Sequence, residues 1–275
     1  MRMGSNKTGL QRPDLPAGHV DLWCSYLDRT TAPAQLEQYH EMLNDKERAH
    51  LSQLRLPRIR EEYLVARALV RSVLSLYADV PPESWDFSAE DHGKPVVKFP
   101  WNGFGTFNLS HSAGMVICAV AREGQIGADV ESLDRKTTGF SLARRFFSPA
   151  EVELLSQAPQ ARRQELFLQI WTLKESYIKA IGQGLSMPLD RFFFALPSEG
   201  PPELYFTDQA ARPQTDWQFA QLRLSSRHHI SVAISAATVQ SNWVLHAHEI
   251  IPLQGVISLE PMICSEANRW YVANC

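Results

Sequence analysis

Two short segments constrain this chain more than any other part of it: Ile126-Gly-Ala-Asp-Val-Glu131 and Trp171-Thr-Leu-Lys-Glu-Ser-Tyr-Ile-Lys179. The first alternates as a strand does. Ile126, Ala128 and Val130 share a core-directed face, which leaves Gly127, Asp129 and Glu131 on the other. The second repeats as a helix, with Trp171, Glu175, Ile178 and Lys179 on one side and Lys174 at its margin. Where strand meets helix, three carboxylates and two lysines converge. Carboxylates that crowded call for a cation, and lysines beside them call for an anion. A divalent metal and a phosphate meet both demands. Taken singly, an Asp-x-Glu strand is more often a solvated face, and a Lys-Glu-x₃-Lys helix a surface ion pair. The dense apolar and aromatic setting of both segments argues for elements with one buried face.

The chain has 275 residues, of which 44% are apolar and 21% charged, enough for one large domain or two moderate ones. A net charge of −3 provides no basic excess for a protein whose main partner is nucleic acid. Cys24, Cys118, Cys264 and Cys275 are scattered without CxxC spacing, as in a reducing compartment, and Cys118 reads as a small buried side chain. The first twenty residues contain Pro13, Asp14 and Pro16 and lack the apolar run of a signal peptide. No stretch has the length of a membrane span. The expected address is cytoplasmic.

Residues 1–18 read as a loose leader. A first strand is expected at His19–Leu27, with helices near Ala34–Leu43, from Asn44 to about Leu54, and over Ile59–Tyr77. Short strands follow at Phe87–Glu90, Pro95–Phe99 and Phe104–Leu109, and Met115–Arg122 with Gln125–Glu131 reads as a hairpin around Glu123-Gly124. A helix is expected near Ser141–Phe147. Ser148-Pro149-Ala150-Glu151 then matches a capping box for a helix to about Gln157, and another covers Ala161–Ile181 and stops at Gly182. From Arg191 onward the chain is strand-like. A loose echo between Met115–Ala121 and His229–Ser235 suggests a duplicated α+β unit.

Few oxygen ligands, such as Asp129 and Glu131, suit Mg²⁺, which shares its remaining positions with water and phosphate. Glu175 fits a third ligand, a general base, or both. Lys174 and Lys179 would offset charge on phosphoryl oxygens. Asn108-Leu-Ser-His-Ser112 is expected as a loop at a strand end whose Ser110, His111 and Ser112 donate to phosphate, or else as an ordinary turn bonding its own backbone. Gly93-Lys94-Pro95 is nearly uninformative alone. His228-His229 and His246-x-His248 resemble metal spacings, but without a Cys or acidic partner identified for them they read as strand-surface histidines.

In that order and spacing, GKP, NLSHS, IGADVE and WTLKESYIKAIGQGLSMPL closely resemble the Sfp-type (surfactin synthetase type) 4′-phosphopantetheinyl transferases, from about Ala34 to Leu196. The resemblance implies an enzyme that transfers the 4′-phosphopantetheine arm of coenzyme A to a serine of an apo acyl- or peptidyl-carrier protein, releasing adenosine 3′,5′-bisphosphate. It also implies a monomer of two similar α+β subdomains about a pseudo-twofold axis, with coenzyme A in the cleft between them. Residues 19–133 and 134–240 would be the two halves, leaving 241–275 as an unassigned extension. Asp129, Glu131 and Glu175 match the Mg²⁺-binding acids, and Glu175, Lys179 and Asp129 the catalytic set. Lys174 and Lys179 match the lysines near the pyrophosphate, Ser110 and His111 the loop on the coenzyme A phosphates, and Lys94 the lysine near the adenine. For the 3′-phosphate, Arg60 is the first choice, with Lys46 and Arg48 behind it. Arg67 and Arg71 fit a structural role. The carrier is expected to be acidic, with Phe146 and Phe147 beside Arg144 and Arg145 as one candidate patch for it. The competing classes are a silent coenzyme A- or nucleotide-binding protein on the same fold, and a Mg²⁺-dependent phosphohydrolase.

Overall fold

Polar side chains and prolines set where the helices begin. The computed structural model describes residues 15–89, 95–99, 105–134, 139–208, 210, 213, 215–236 and 243–258. In chain order its main elements are β1 (His19–Tyr26), α1 (Leu27–Thr30), α2 (Pro33–Glu41), α3 (Asp45–Gln53), α4 (Pro57–Tyr77), β2 (Asp86–Ala89), β3 (Pro95–Phe99), β4 (Thr106–Ser112), β5 (Met115–Ala121) and β6 (Ile126–Ser132). They continue with α5 (Gly139–Phe146), α6 (Pro149–Gln157), α7 (Gln160–Ile181), β7 (Phe192–Ala195), β8 (Glu203–Phe206), β9 (Asp216–Ser225), β10 (His228–Ala236), β11 (Val244–Ile251) and β12 (Gly255–Ser258).

Two sheets carry the fold. Five strands run in the order β12-β11-β1-β5-β4 and three in the order β6-β10-β9, with β2-β3 and β7-β8 as separate pairs. On β5, Val116, Cys118 and Val120 pack with Leu69 and Val73 of α4. The alternate residues, Met115, Ile117 and Ala119, pack against Ala128, Val130 and Val232 of the smaller sheet. Beyond that sheet, Leu173, Tyr177 and Ile178 of α7 form a third cluster with Phe192, Phe219 and Ala233. The layers are therefore α4, five-stranded sheet, three-stranded sheet, α7: an α+β fold with each sheet covered by one long helix.

The starts of α3 and α6 share a device. At α3, Asn44 Oδ1 accepts the Glu47 N–H at 2.9 Å and Glu47 Oε2 accepts the Asn44 N–H at 3.1 Å. At α6, Ser148 Oγ accepts the Glu151 N–H at 3.3 Å and Glu151 Oε2 accepts the Ser148 N–H at 3.1 Å, the expected capping box. Each capping glutamate then takes a buried cation from the long helix that follows it. Arg71 Nη2 lies 2.7 Å from Glu47, and Lys174 Nζ 2.9 Å from Glu151. Arg71 is thus structural.

Two expectations are corrected. The Met115–Arg122 and Gln125–Glu131 runs do not form a hairpin: β5 pairs with β1 and β4, whereas β6 pairs with β10. Gly124 (φ 81°) instead hands the chain from one sheet to the other, because Ile126, Ala128 and Val130 are needed at the interface between them. Asn108–Ser112 is not a loop but the second half of β4, paired antiparallel with β5.

Candidate active site

The seam between the two sheets is stitched by side chains. β4 and β6 are edge strands of different sheets, and three alternate residues of β4 reach across. Asn108 Oδ1 accepts the Ala128 N–H at 3.0 Å, Ser110 Oγ the Val130 N–H at 3.4 Å, and Ser112 Oγ the Ser132 N–H at 3.3 Å. The two serines also donate to the acids of β6: Ser110 Oγ lies 2.9 Å from Asp129 Oδ1, and Ser112 Oγ 3.0 Å from Glu131 Oε2. Ser110, expected on coenzyme A, is 5% exposed and spends its hydroxyl orienting Asp129. Ser112, expected with Ser110 and His111 as a phosphate donor, here donates to Glu131, and its i+2 spacing from Ser110 matches that of Glu131 from Asp129.

Helix α7 lies against the other side of β6, and Gly127 sets how close. A Cβ at Gly127 would stand 2.0 Å from Ser176 O and 2.5 Å from Ala180 N, so only glycine admits the helix. Gly127→Ala is expected to cost about 1–3 kcal/mol through overpacking. It is also expected to shift Glu175 and Lys179 together, so that transfer is lost even below the temperature at which the variant unfolds. Urea midpoints measured beside carrier modification check this, and an unchanged rate would contradict it.

Across that contact Lys179 Nζ meets Asp129 Oδ1 at 2.7 Å, Ser110 Oγ at 2.8 Å and Ala128 O at 3.3 Å. Glu175, one turn earlier, has its carboxyl pushed up to about 7, first by burial and then by the charges of Asp129 and Glu131, with Lys179 opposing. The three acids do converge. They remain more open than a closed metal cage: among the described residues, the group whose ligating atoms all lie within 4.8 Å of one another is Asp21, His246 and His248. Asp129 Oδ2 is buried without a hydrogen-bond partner among the described residues, an acceptor turned to the seam.

A folded-state pKa above the usual 4.5 means that the folded protein holds a proton the unfolded chain has released. In chelator, Glu175 therefore contributes stability that is complete below pH 4.5 and lost as pH rises through about 7, at most about 3 kcal/mol. The difference in urea midpoint between the parent and Glu175→Gln, followed from pH 4.5 to 8, is expected to grow in the variant's favour. A flat difference would contradict the assignment.

Lys174 requires a correction. Its side chain is completely buried on the opposite side of α7, where Nζ donates to Leu189 O at 2.7 Å and Phe192 O at 2.6 Å and pairs with Glu151. All three ammonium hydrogens are spent, and the amine sits over the Phe192 ring at 4.2 Å from its centroid. It has none left for a pyrophosphate. Arg60 is half-buried, and its Nη1 donates to Leu51 O and Leu54 O at the end of α3. Lys46 and Arg48 are exposed on α3, with Arg48 beside Asp45 and His40 O. Lys94 lies outside the described residues. His111 is exposed and pairs with Glu62 at 3.6 Å, and Arg58 stands close by, its Nη2 3.9 Å from where a Cβ of Gly114 would be. A cleft of about 670 Å³ opens there, lined by Tyr26, Arg58, Gly114, Arg227 and His228. A smaller recess is lined by Arg58, Ser112, Ser132, Asp134 and Arg227, and its Ser112 is the serine that donates to Glu131. Arg58, not Arg60, is the arginine at the cleft. Phe146 is exposed and Phe147 buried against Phe167, so at most one of that pair is available to a partner.

Residues 125–243 match the model of the 4′-phosphopantetheinyl transferase superfamily. The 4′-phosphopantetheinyl transferase HetI of Nostoc sp. is 36% identical over 192 residues, which cover 69% of this chain and 79% of that protein. The chain belongs to the Sfp-type 4′-phosphopantetheinyl transferase family. Family relatives also include the 4′-phosphopantetheinyl transferase Sfp of Bacillus subtilis, 32% identical over 64% of this chain and 76% of that protein. The 4′-phosphopantetheinyl transferase psf-1 of Bacillus pumilus is 33% identical, over 67% and 77%. In this member of the family, the acids and Lys179 occupy the seam between the sheets, and the capping glutamate Glu151 holds Lys174 away from it.

Proposed function

We propose that this transferase moves the 4′-phosphopantetheine arm of coenzyme A onto a serine hydroxyl of an apo acyl- or peptidyl-carrier protein in the cytoplasm, releasing adenosine 3′,5′-bisphosphate. The observation that carries the residue assignment is the meeting of Asp129, Glu131, Glu175 and Lys179 at one seam. The acidic set fits Mg²⁺: Asp129 offers a buried acceptor without a partner, and the mutual repulsion that raises Glu175 is what a cation relieves. Asp129, Glu131 and Glu175 would hold the ion, which when bound offsets charge on the pyrophosphate oxygens. Arg58 and Arg227, which line the cleft, and His111, which pairs with Glu62, would steady the phosphates and the nucleotide end.

Glu175 takes the proton of the carrier serine as its oxygen bonds to the phosphorus that bears pantetheine. The bond from that phosphorus to the departing adenosine bisphosphate breaks, and the Lys179 ammonium donates to the oxygen that gains charge. A group whose pKa lies near 7 is suited to the first task. The carrier is expected to be acidic and the transferase to act as a monomer. Incubation with coenzyme A, Mg²⁺ and an apo-carrier, followed by mass spectrometry, should add one phosphopantetheine to the carrier. No gain with any of several carriers would sink the proposal. Release of phosphate without carrier modification would instead favour the hydrolase.

A further inference from the structure

A second cluster of ligating side chains lies away from this seam, where β11 pairs with β1. β11 pairs parallel to β1, with Asp21 beside His246 and Trp23 beside His248. His246 Nδ1 is 3.2 Å from Asp21 Oδ1, and His248 Nε2 is 3.6 Å from the same oxygen. One ligating atom from each residue lies within 4.8 Å of the other two. Asp21 is 3% and His248 9% exposed. On β1, Asp21 is level with Val120 and Phe107, whereas Cys24 is level with Ile117 and Ser110, so this cluster and the acidic seam occupy different ends of the sheet.

The spacing is that of ligands around a centre. Zinc bound tetrahedrally at about 2.0–2.2 Å separates its ligating atoms by about 3.3–3.6 Å, close to the two distances seen. An ordinary hydrogen-bonded pair explains the His246 contact but not His248, whose nitrogen is too far for a hydrogen bond yet faces the same oxygen. The carboxylate's outer contacts have the form that metal ligands take, whereas His248 Nδ1 is buried without a hydrogen-bond partner among the described residues. Tyr77 Oη donates to Asp21 Oδ2 at 2.5 Å and accepts the Trp23 indole N–H at 2.7 Å, which fixes the carboxylate and leaves Oδ1 for the histidines. The Trp23 ring stacks on His248 with centroids 4.5 Å apart, setting the plane of that imidazole. His246 is partly exposed, which provides an entry path and a position for water.

We propose that Asp21, His246 and His248 bind one divalent transition-metal ion of the zinc class, joining β11 to β1. Two imidazoles and one carboxylate oxygen favour such an ion over Mg²⁺ or Ca²⁺, which take oxygen ligands. The acidic partner of the histidine pair, Asp21, lies 225 residues away in sequence.

The test uses the full chain in excess Mg²⁺, which saturates the seam acids, titrated with Co²⁺. The expected result is one Co²⁺ per chain with the intense visible absorption of a four-coordinate nitrogen and oxygen site, displaced by Zn²⁺. Zn²⁺ should also raise the unfolding temperature. His246→Gln should abolish the absorption while carrier modification proceeds at the parent rate, which also shows that the variant folds. Tyr77→Phe, which keeps all three ligands, should weaken binding about 10- to 100-fold. No cobalt uptake, an unchanged spectrum in His246→Gln, or a thiolate band that places the ion on cysteine would each overturn the proposal.

Discussion

Glu175→Gln lowers transfer to the carrier serine by about 100- to 10,000-fold, the usual worth of a positioned general base, and leaves the protein more stable above pH 7 rather than less. Both effects come from one cause. The carboxyl is held between burial, two acidic neighbours and a single lysine, so its charged form is costly to the fold and reactive toward a hydroxyl proton. Glutamine has the same shape without the charge. It removes the repulsion toward Asp129 and Glu131 and the proton acceptor together. Mass spectrometry of the carrier reads the first effect, and the urea midpoint at pH 8 in chelator reads the second. Raising Mg²⁺ separates the two roles of Glu175: recovery at high Mg²⁺ marks a ligand, and no recovery marks a base. Full activity in the variant would refute both.

Lys174→Ala is expected to destabilise the protein by about 3–5 kcal/mol, the cost of stranding a buried carboxylate. Glu151 is 1% exposed and has other duties: it closes the capping box of α6 and accepts the Phe194 N–H at 3.1 Å. Its charge is tolerable there because the Lys174 ammonium lies 2.9 Å away. The companion variant Lys174→Met with Glu151→Gln should recover most of the loss, since glutamine keeps an acceptor and methionine fills the volume. Denaturant unfolding at constant m-value measures both. If Lys174 instead gripped the pyrophosphate, Lys174→Ala would raise the KM for coenzyme A with little change in stability. That outcome would overturn the structural assignment.

The helices were legible because their ends are chemically marked: Asn44 with Glu47, Ser148 with Glu151, and Gly182 at φ 71° all act locally. The meeting of Asp129, Glu175 and Lys179 was legible from periodicity, since residues four apart on a helix and two apart on a strand must share faces. What failed was non-local. Glu123-Gly124 reads as a hairpin turn, but strand pairing is decided by where the apolar sets of β6 and β10 find each other. Lys174 lies one position from Glu175, and periodicity placed it at the margin. Its direction was fixed by Glu151, a partner whose capping role hid its second one. Asn108-Leu-Ser-His-Ser112 looked like a loop because its residues favour turns, yet here their side chains replace the backbone bonds that two edge strands of different sheets cannot make.

The position of β11 has a consequence for how the chain emerges from the ribosome. β1 lies between β5 and β11, so its second edge is filled by a strand made more than two hundred residues later. At about 5–20 residues per second, roughly 6–26 s separate completion of β5 from that of β11. For that interval Val20, Leu22 and Trp23 belong to an open strand edge, the kind that recruits other chains. A gene shortened just after Trp243, where the family match ends, would make the interval permanent. Such a product should retain every residue of the acidic seam and still accumulate as aggregate.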